Sequence, residues 1–109
     1  MKIGIILNTN DPETVWNTFR FGVTSLTNNH RVKVFLLGRG VEAEEISSDQ
    51  FDVRMQMMRF LDAGGEILAC GTCLKIRKKK ESEVKMCSIS TMQSLLEIVE
   101  LSDKIITFS

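Results

Sequence analysis

The stretch Lys2-Ile3-Gly4-Ile5-Ile6-Leu7-Asn8-Thr9-Asn10-Asp11-Pro12 is where the fold of this chain is decided. Its apolar run is continuous rather than alternating, the pattern of a strand covered on both faces. The run stops at Asn8, far too short to cross a membrane, and no small-residue cleavage site follows, so it is not read as a signal peptide. Asp11 then stands where a helix N-cap is wanted and Pro12 at the first helical position. A doubly buried strand feeding a helix is the opening unit of a parallel sheet, because parallel neighbours need a long crossover.

Working outward, Val15, Phe19, Val23 and Leu26 form one apolar stripe, and Asn28-Asn29 closes that helix. A second buried strand spans Val32–Leu37 and ends at Gly38-Arg39-Gly40. The polar, acidic segment from Glu42 to Asp49 reads as an exposed loop. A helix from about Phe51 to Ala63 follows, with Phe51, Met55 and Met58 as its inward face and Gly64-Gly65 as its stop. Val53, Met57 and Phe60 lie off that stripe, so the helix has a second apolar face for a neighbouring subunit. Ile67–Cys70 is a third strand, about Thr72 to Lys80 a short helix, and Val84–Ile89 a fourth strand. Ser90 and Gln93 suggest a capping box for a last helix carrying Met92, Leu95, Leu96 and Val99. Lys104–Phe108 closes the chain as a fifth strand.

The order is therefore β-α-β-α-β-α-β-α-β. It predicts one α/β domain over residues 1–109, a three-layer α/β/α sandwich with a mainly parallel five-stranded sheet and flavodoxin-like layering. A hydrophobic content of 43% is enough for a continuous core. The 14 basic and 14 acidic residues cancel, and the six Phe and one Trp form no extended basic-aromatic alternation. That balance argues against a nucleic-acid binder. Three cysteines do not make a disulfide framework, which favours the reducing cytoplasm and no membrane association.

In open parallel sheets, ligands and reactive groups gather beyond the carboxyl ends of the strands. Four loops meet that description: Asn8–Asp11, Gly38–Gly40, Cys70–Cys73 and Ser88–Ser90. The third carries the chemistry. Cys70 ends a strand and Cys73 lies in the first turn of the following helix, where unpaired amides and the helix dipole favour a thiolate. A free thiol is only about 3% ionised at pH 7, and a fall of one to two units raises that to roughly a quarter or three quarters. Cys70 is thus the candidate nucleophile and Cys73 the residue near enough to resolve a mixed disulfide or persulfide. Gly71 leaves the backbone open to an approaching sulfur, and Thr72 shares the same turn.

Lys2–Leu7, Val34-Phe35-Leu36-Leu37-Gly38 and above all Ala69-Cys70-Gly71-Thr72-Cys73-Leu74-Lys75-Ile76-Arg77 resemble the DsrE/DsrF-like sulfur-relay family over nearly the whole length. The resemblance implies an α/β fold and assembly as a homo-oligomer, a trimer or hexamer. It also implies a sulfur-carrier or sulfurtransferase-like role, in which the cysteine matching Cys70 accepts sulfane sulfur as a persulfide and passes it between donor and acceptor proteins. No cofactor is implied. This chain departs from the family in having Lys78 after Arg77, where glycine is frequent.

Other readings compete. The cysteines could be structural in a non-enzymatic oligomeric module that binds a small ligand or a partner, or Cys70 and Cys73 could form a dithiol redox pair. A thioredoxin-type site is disfavoured because the only proline, Pro12, stands at the start of the first helix, far from the cysteines in sequence. Cys87 and His30 would complete a zinc set, but the second closely spaced ligand pair is missing, so no metal is expected. Asn8 and the Gly38-Arg39-Gly40 turn are candidate anion contacts, two glycines baring the backbone and Arg39 adding charge.

Overall fold

Asp11 opens the first helix as its position predicts. In the computed structural model, which describes residues 1–109, its carboxylate accepts from the Thr14 amide at 2.9 Å, with Pro12 beginning the helix. The elements are β1 (Lys2–Leu7), α1 (Pro12–Thr27), β2 (Arg31–Leu36), a 3-10 segment (Gly38–Glu45), α2 (Val53–Asp62), β3 (Glu66–Cys70), α3 (Gly71–Ile76), a short 3-10 turn (Glu81–Glu83), β4 (Ser88–Ser90), α4 (Met92–Leu101) and β5 (Lys104–Phe108). All five strands pair in parallel in the order β4-β3-β2-β1-β5.

That order fixes the layers. The chain steps from β1 to β4 in one direction, so right-handed crossovers place α1, α2 and α3 on one face. The return from β4 to β5 runs the other way and carries α4 to the opposite face. Gly4 marks where α4 presses on the sheet: a Cβ there would lie 2.8 Å from Ile98 Cγ2 and 2.8 Å from Ser102 Oγ. The expected three-layer α/β sandwich is present.

The core joins Ile5, Leu7, Val34, Phe35 and Leu36 of the sheet to Val15 and Phe19 of α1 and Met57 and Phe60 of α2. Phe60 meets Phe19 edge-on at 5.5 Å between ring centroids. Its ring fills a slot that only glycines leave open, since a Cβ at Gly22 or Gly65 would come within 2.6 or 2.3 Å of it. Three boundaries differ from the sequence reading. The inward face of α2 is Val53, Met57 and Phe60, while Met55 and Met58 are exposed and Phe51 is half-buried before the helix, its ring tilted against Trp16 at 5.2 Å between centroids. The helix begins later than expected, at Val53 behind an Asp52 cap, and that shift rotates the stripe. α3 stops at Ile76 rather than Lys80, because the chain turns at Lys78 with φ 55. β4 is Ser88–Ser90, so the turn beyond that strand begins at Thr91, and Thr91 rather than Ser90 caps α4 by accepting from the Ser94 amide.

The segment from Glu42 to Asp49 is a larger correction. Gly38–Glu45 winds as a 3-10 helix with Gly40, Val41, Ala43 and Glu44 buried. The apolar pair Val41 and Ala43 pulls it onto the sheet edge, and Gly40 lets its backbone meet Leu7, whose carbonyl oxygen lies 2.1 Å from where a Cβ would stand. No helix of the chain is long and apolar enough to cross a membrane.

Candidate functional site

Three loops at the carboxyl edge of the sheet converge on the cysteine turn. Cys70 is the last residue of β3 and the N-cap of α3, and Cys73 lies one turn further on. The loop after β2 reaches them through Gly38, whose amide donates to Cys73 Sγ at 3.3 Å. Gly38 takes φ +55, which a residue with a side chain rarely adopts, and a Cβ there would also collide with Asn8 Oδ1 at 2.6 Å. Asn8, Gly38, Cys70 and Cys73 are therefore neighbours. The two glycines of Gly38-Arg39-Gly40 are used inside the protein, one for its amide and one for close packing, and the turn is not an open anion cradle. Arg39 is exposed at the rim, close enough for its charge to act on Glu42. Thr72 is exposed and Gly71 half-buried, its Cα facing Ile89 and the Ser90 carbonyl.

The two sulfurs differ. Cys70 is 2% exposed and belongs to the core, and its side chain caps no amide of α3. The expected placement of the Cys70 sulfur at the unpaired amides of the helix start is corrected: Cys73 is the half-exposed member and the one that meets an amide. Burial holds the Cys73 thiol above its ordinary range, and its hydrogen bond to Cys70 raises it further. The Gly38 amide pulls it down, Cys70 charge adds to the rise, and the Arg77 charge opposes it.

A polar network braces this turn. Arg77 Nε donates to Glu42 Oε2 at 2.7 Å, Arg77 Nη1 donates to the Cys73 carbonyl at 3.1 Å, and Asn10 Nδ2 donates to Glu42 Oε1 at 3.2 Å. The Arg77 hydrogen bond, then that of Asn10, holds the Glu42 carboxyl below its usual range. Lys79 pairs with Glu45 alongside. A second brace is the buried Glu44, whose carboxylate accepts from the amides of Lys85 and Met86 at 3.1 and 3.4 Å and from Cys87 Sγ at 3.7 Å. Burial, then the Glu44 charge and hydrogen bond, push the Cys87 thiol up to about 12.

Asn10, Glu42, Glu44 and the bracing role of Arg77 escaped the sequence reading. Glu42 and Arg77 are 35 residues apart, and no local pattern links them. The one usable signal was Val41 and Ala43, two apolar residues in a segment too acidic to be read as buried. His30 lies away from the turn, its Nδ1 2.8 Å from the amino terminus of Met1. No three His, Cys, Asp or Glu side chains are placed to hold a metal ion. A cleft of ≈ 380 Å³ between α4 and the amino ends of the strands, lined by Lys2, Arg31, Lys33, Glu66 and Glu97 among others, contains none of the turn's residues.

Together these features define a small all-parallel α/β protein with a dithiol turn at the carboxyl edge of its sheet. The chain belongs to the DsrE/DsrF-like family, whose model matches residues 1–108, and is thereby related to sulfur-relay proteins. Among its relatives, the uncharacterized protein MJ0989 of Methanocaldococcus jannaschii is 30% identical over 100 residues, 88% of each chain. MK0008 of Methanopyrus kandleri is 29% identical over 88% of this chain and 83% of its own. The fold is similar to that of the YchN protein of E. coli, with a TM-score of 0.83 at 18% identity over 99% of this chain and 100% of that one. It is also similar to BT1422 of Bacteroides thetaiotaomicron, with a TM-score of 0.81 at 20% identity over 98% and 94% of the two chains.

Proposed function

We propose that this protein is a cytoplasmic sulfur carrier that holds sulfane sulfur as a persulfide on Cys70, with Cys73 as the outer thiol of the pair. The observation that carries the reading is the placement of two cysteines one helical turn apart at the carboxyl end of β3, the outer one receiving the Gly38 amide. The Cys70 thiolate attacks the outer sulfur of a donor persulfide. A new S–S bond forms to Cys70, the donor's own S–S bond breaks, and the donor leaves as a thiolate that takes up a proton. Transfer onward is the same exchange in reverse, with an acceptor thiolate attacking the outer sulfur and Cys70 leaving. Neither step consumes an oxidant or a reductant.

Burial of Cys70 has a clear use in such a cycle. A persulfide sealed behind Cys73 is shielded from stray oxidants and thiols, and a donor reaches it past the half-exposed neighbour. The reading includes a homo-oligomer, a trimer or hexamer, whose contacts would cover the exposed Met92, Leu96, Val99 and Leu101 of α4 with Ile89 and Ile105. Intact mass after incubation with a small-molecule persulfide donor tests the function. The protein gains one sulfur atom and Cys70→Ser gains none; equal gain by Cys70→Ser ends the proposal.

A second reading draws on the same burial. If Cys70 is a packing residue, the protein is a binding module with structural cysteines. That reading requires Cys70 to resist alkylation as long as the fold is intact and the protein to gain no sulfur, whereas the sulfur carrier gains one sulfur on Cys70.

A further inference from the structure

We propose that Arg77 is a positioning residue for the cysteine turn, a guanidinium fixed by Glu42 and Asn10 so that it holds the Cys73 carbonyl and sets a positive charge beside the place where negative charge develops on the Cys73 sulfur. The proposal rests on the sulfur reading for its purpose but not for its test. Arg77 uses two faces of its planar fork: Nε meets Glu42 at 2.7 Å and Nη1 meets the Cys73 carbonyl at 3.1 Å. Glu42 is in turn held by Asn10 from the loop after β1, at 3.2 Å. The guanidinium is therefore fixed from β1, from the 3-10 segment and from α3, and it is largely buried, with its side chain 24% exposed.

A lone arginine at a helix end would satisfy the last carbonyls and stop there. Here the carbonyl it takes belongs to the cysteine itself, and its carboxylate partner is shared with the neutral amide of Asn10. The charged and titratable groups that act on Cys73 are Cys70 on β3 and Arg77, and Arg77 is itself paired with Glu42 of the 3-10 segment, on which the Arg39 charge also acts. Glu42 is engaged by both Arg77 and Asn10, so the guanidinium that meets the Cys73 carbonyl is held in one place. The direction of the Arg77 effect on Cys73, downward against burial, agrees with that placement.

The test is the pH dependence of Cys73 alkylation by iodoacetamide, read by peptide mass in the intact folded protein, Arg77→Gln, Arg77→Lys and Asn10→Ala. Arg77→Gln is expected to react about threefold more slowly at pH 7, with a midpoint raised by about half a unit. Arg77→Lys restores the charge without the fork and recovers part of the rate; Asn10→Ala leaves the charge but frees Glu42, and shifts the midpoint upward by less. Helix capping alone would lower thermal stability in Arg77→Gln while leaving the midpoint unmoved, and an unmoved midpoint overturns the proposal. Sulfur loading is read separately. A shifted midpoint with no loading keeps the positioning role and ends the sulfur function; loading with an unmoved midpoint does the opposite.

Discussion

Replacing Glu44 with alanine gives the most exacting test of how the site is supported. Glu44 is 7% exposed, and its two oxygens accept the Lys85 amide at 3.2 and 3.1 Å while one also takes the Met86 amide at 3.4 Å. Hydrogen bonds to a charged acceptor contribute about 1.5–3 kcal/mol each; these are long, and water can replace part of them at the exposed Lys85, so the pair together is worth about 2–3 kcal/mol. For a chain of this length about 1 kcal/mol moves the melting temperature by about 4 °C, so Glu44→Ala should melt about 8–12 °C lower, and Glu44→Gln, which keeps one acceptor oxygen, about half as far. Circular dichroism of the folded protein reads the shift. The same substitution removes the carboxylate that helps push the Cys87 thiol up to about 12, so Cys87 should alkylate at lower pH in Glu44→Ala. A melting temperature within about 2 °C of the parent, together with an unmoved Cys87 profile, would refute the view that the 3-10 segment is tied to the approach to β4 through this carboxylate.

Three further outcomes follow from the packing and the titrating groups. Cys87 keeps its proton up to about pH 12 in the folded chain, whereas an unfolded thiol loses it near 8.5. The native state then binds the extra proton between those values, so urea-measured stability should fall as pH rises through that window, and Cys87→Val should flatten the decline; the chain has no tyrosine to mask it. Phe60→Ala should cost about 3–5 kcal/mol in the same assay and Met58→Gln less than about 0.5, and the reverse ranking would contradict the inward face assigned to α2. Asp11, held below the usual carboxylate range by the Thr14 amide and hydroxyl, contributes stability that is present above its unfolded pKa and lost as pH falls through the folded one. Asp11→Asn should keep the cap and remove that part of the acid transition in a circular-dichroism titration.

The parts of the fold that are written locally were readable. Continuous apolar runs announced the buried strands, and Asp11-Pro12 and Gly64-Gly65 announced where helices begin and stop, because capping and left-handed turns depend on a few adjacent residues. The face of α2 was misread because Phe51 sits before the helix rather than in it, and one displaced residue rotates the whole stripe. The cysteine turn stood out through residue type and spacing, yet its electrostatics did not. Burial of Cys70 comes from tertiary packing, and Asn10, Glu42, Gly38 and Arg77 come together only when three strand ends line up. Glu44 was hidden for the same reason: an acidic residue in an acidic stretch looks solvated until its partners arrive from Lys85, Met86 and Cys87.

The central claim is that sulfane sulfur rests on the inner thiol of the Cys70–Cys73 pair. Locating the added atom within the persulfide-loaded protein, by trapping with an alkylating agent, digestion and fragment mass of the peptide holding residues 70–73, tests it most directly. The extra sulfur is expected on Cys70, in the parent and in Cys73→Ser alike. Finding it on Cys73 of the parent or on Cys87, or finding every cysteine unmodified after loading, would contradict that placement.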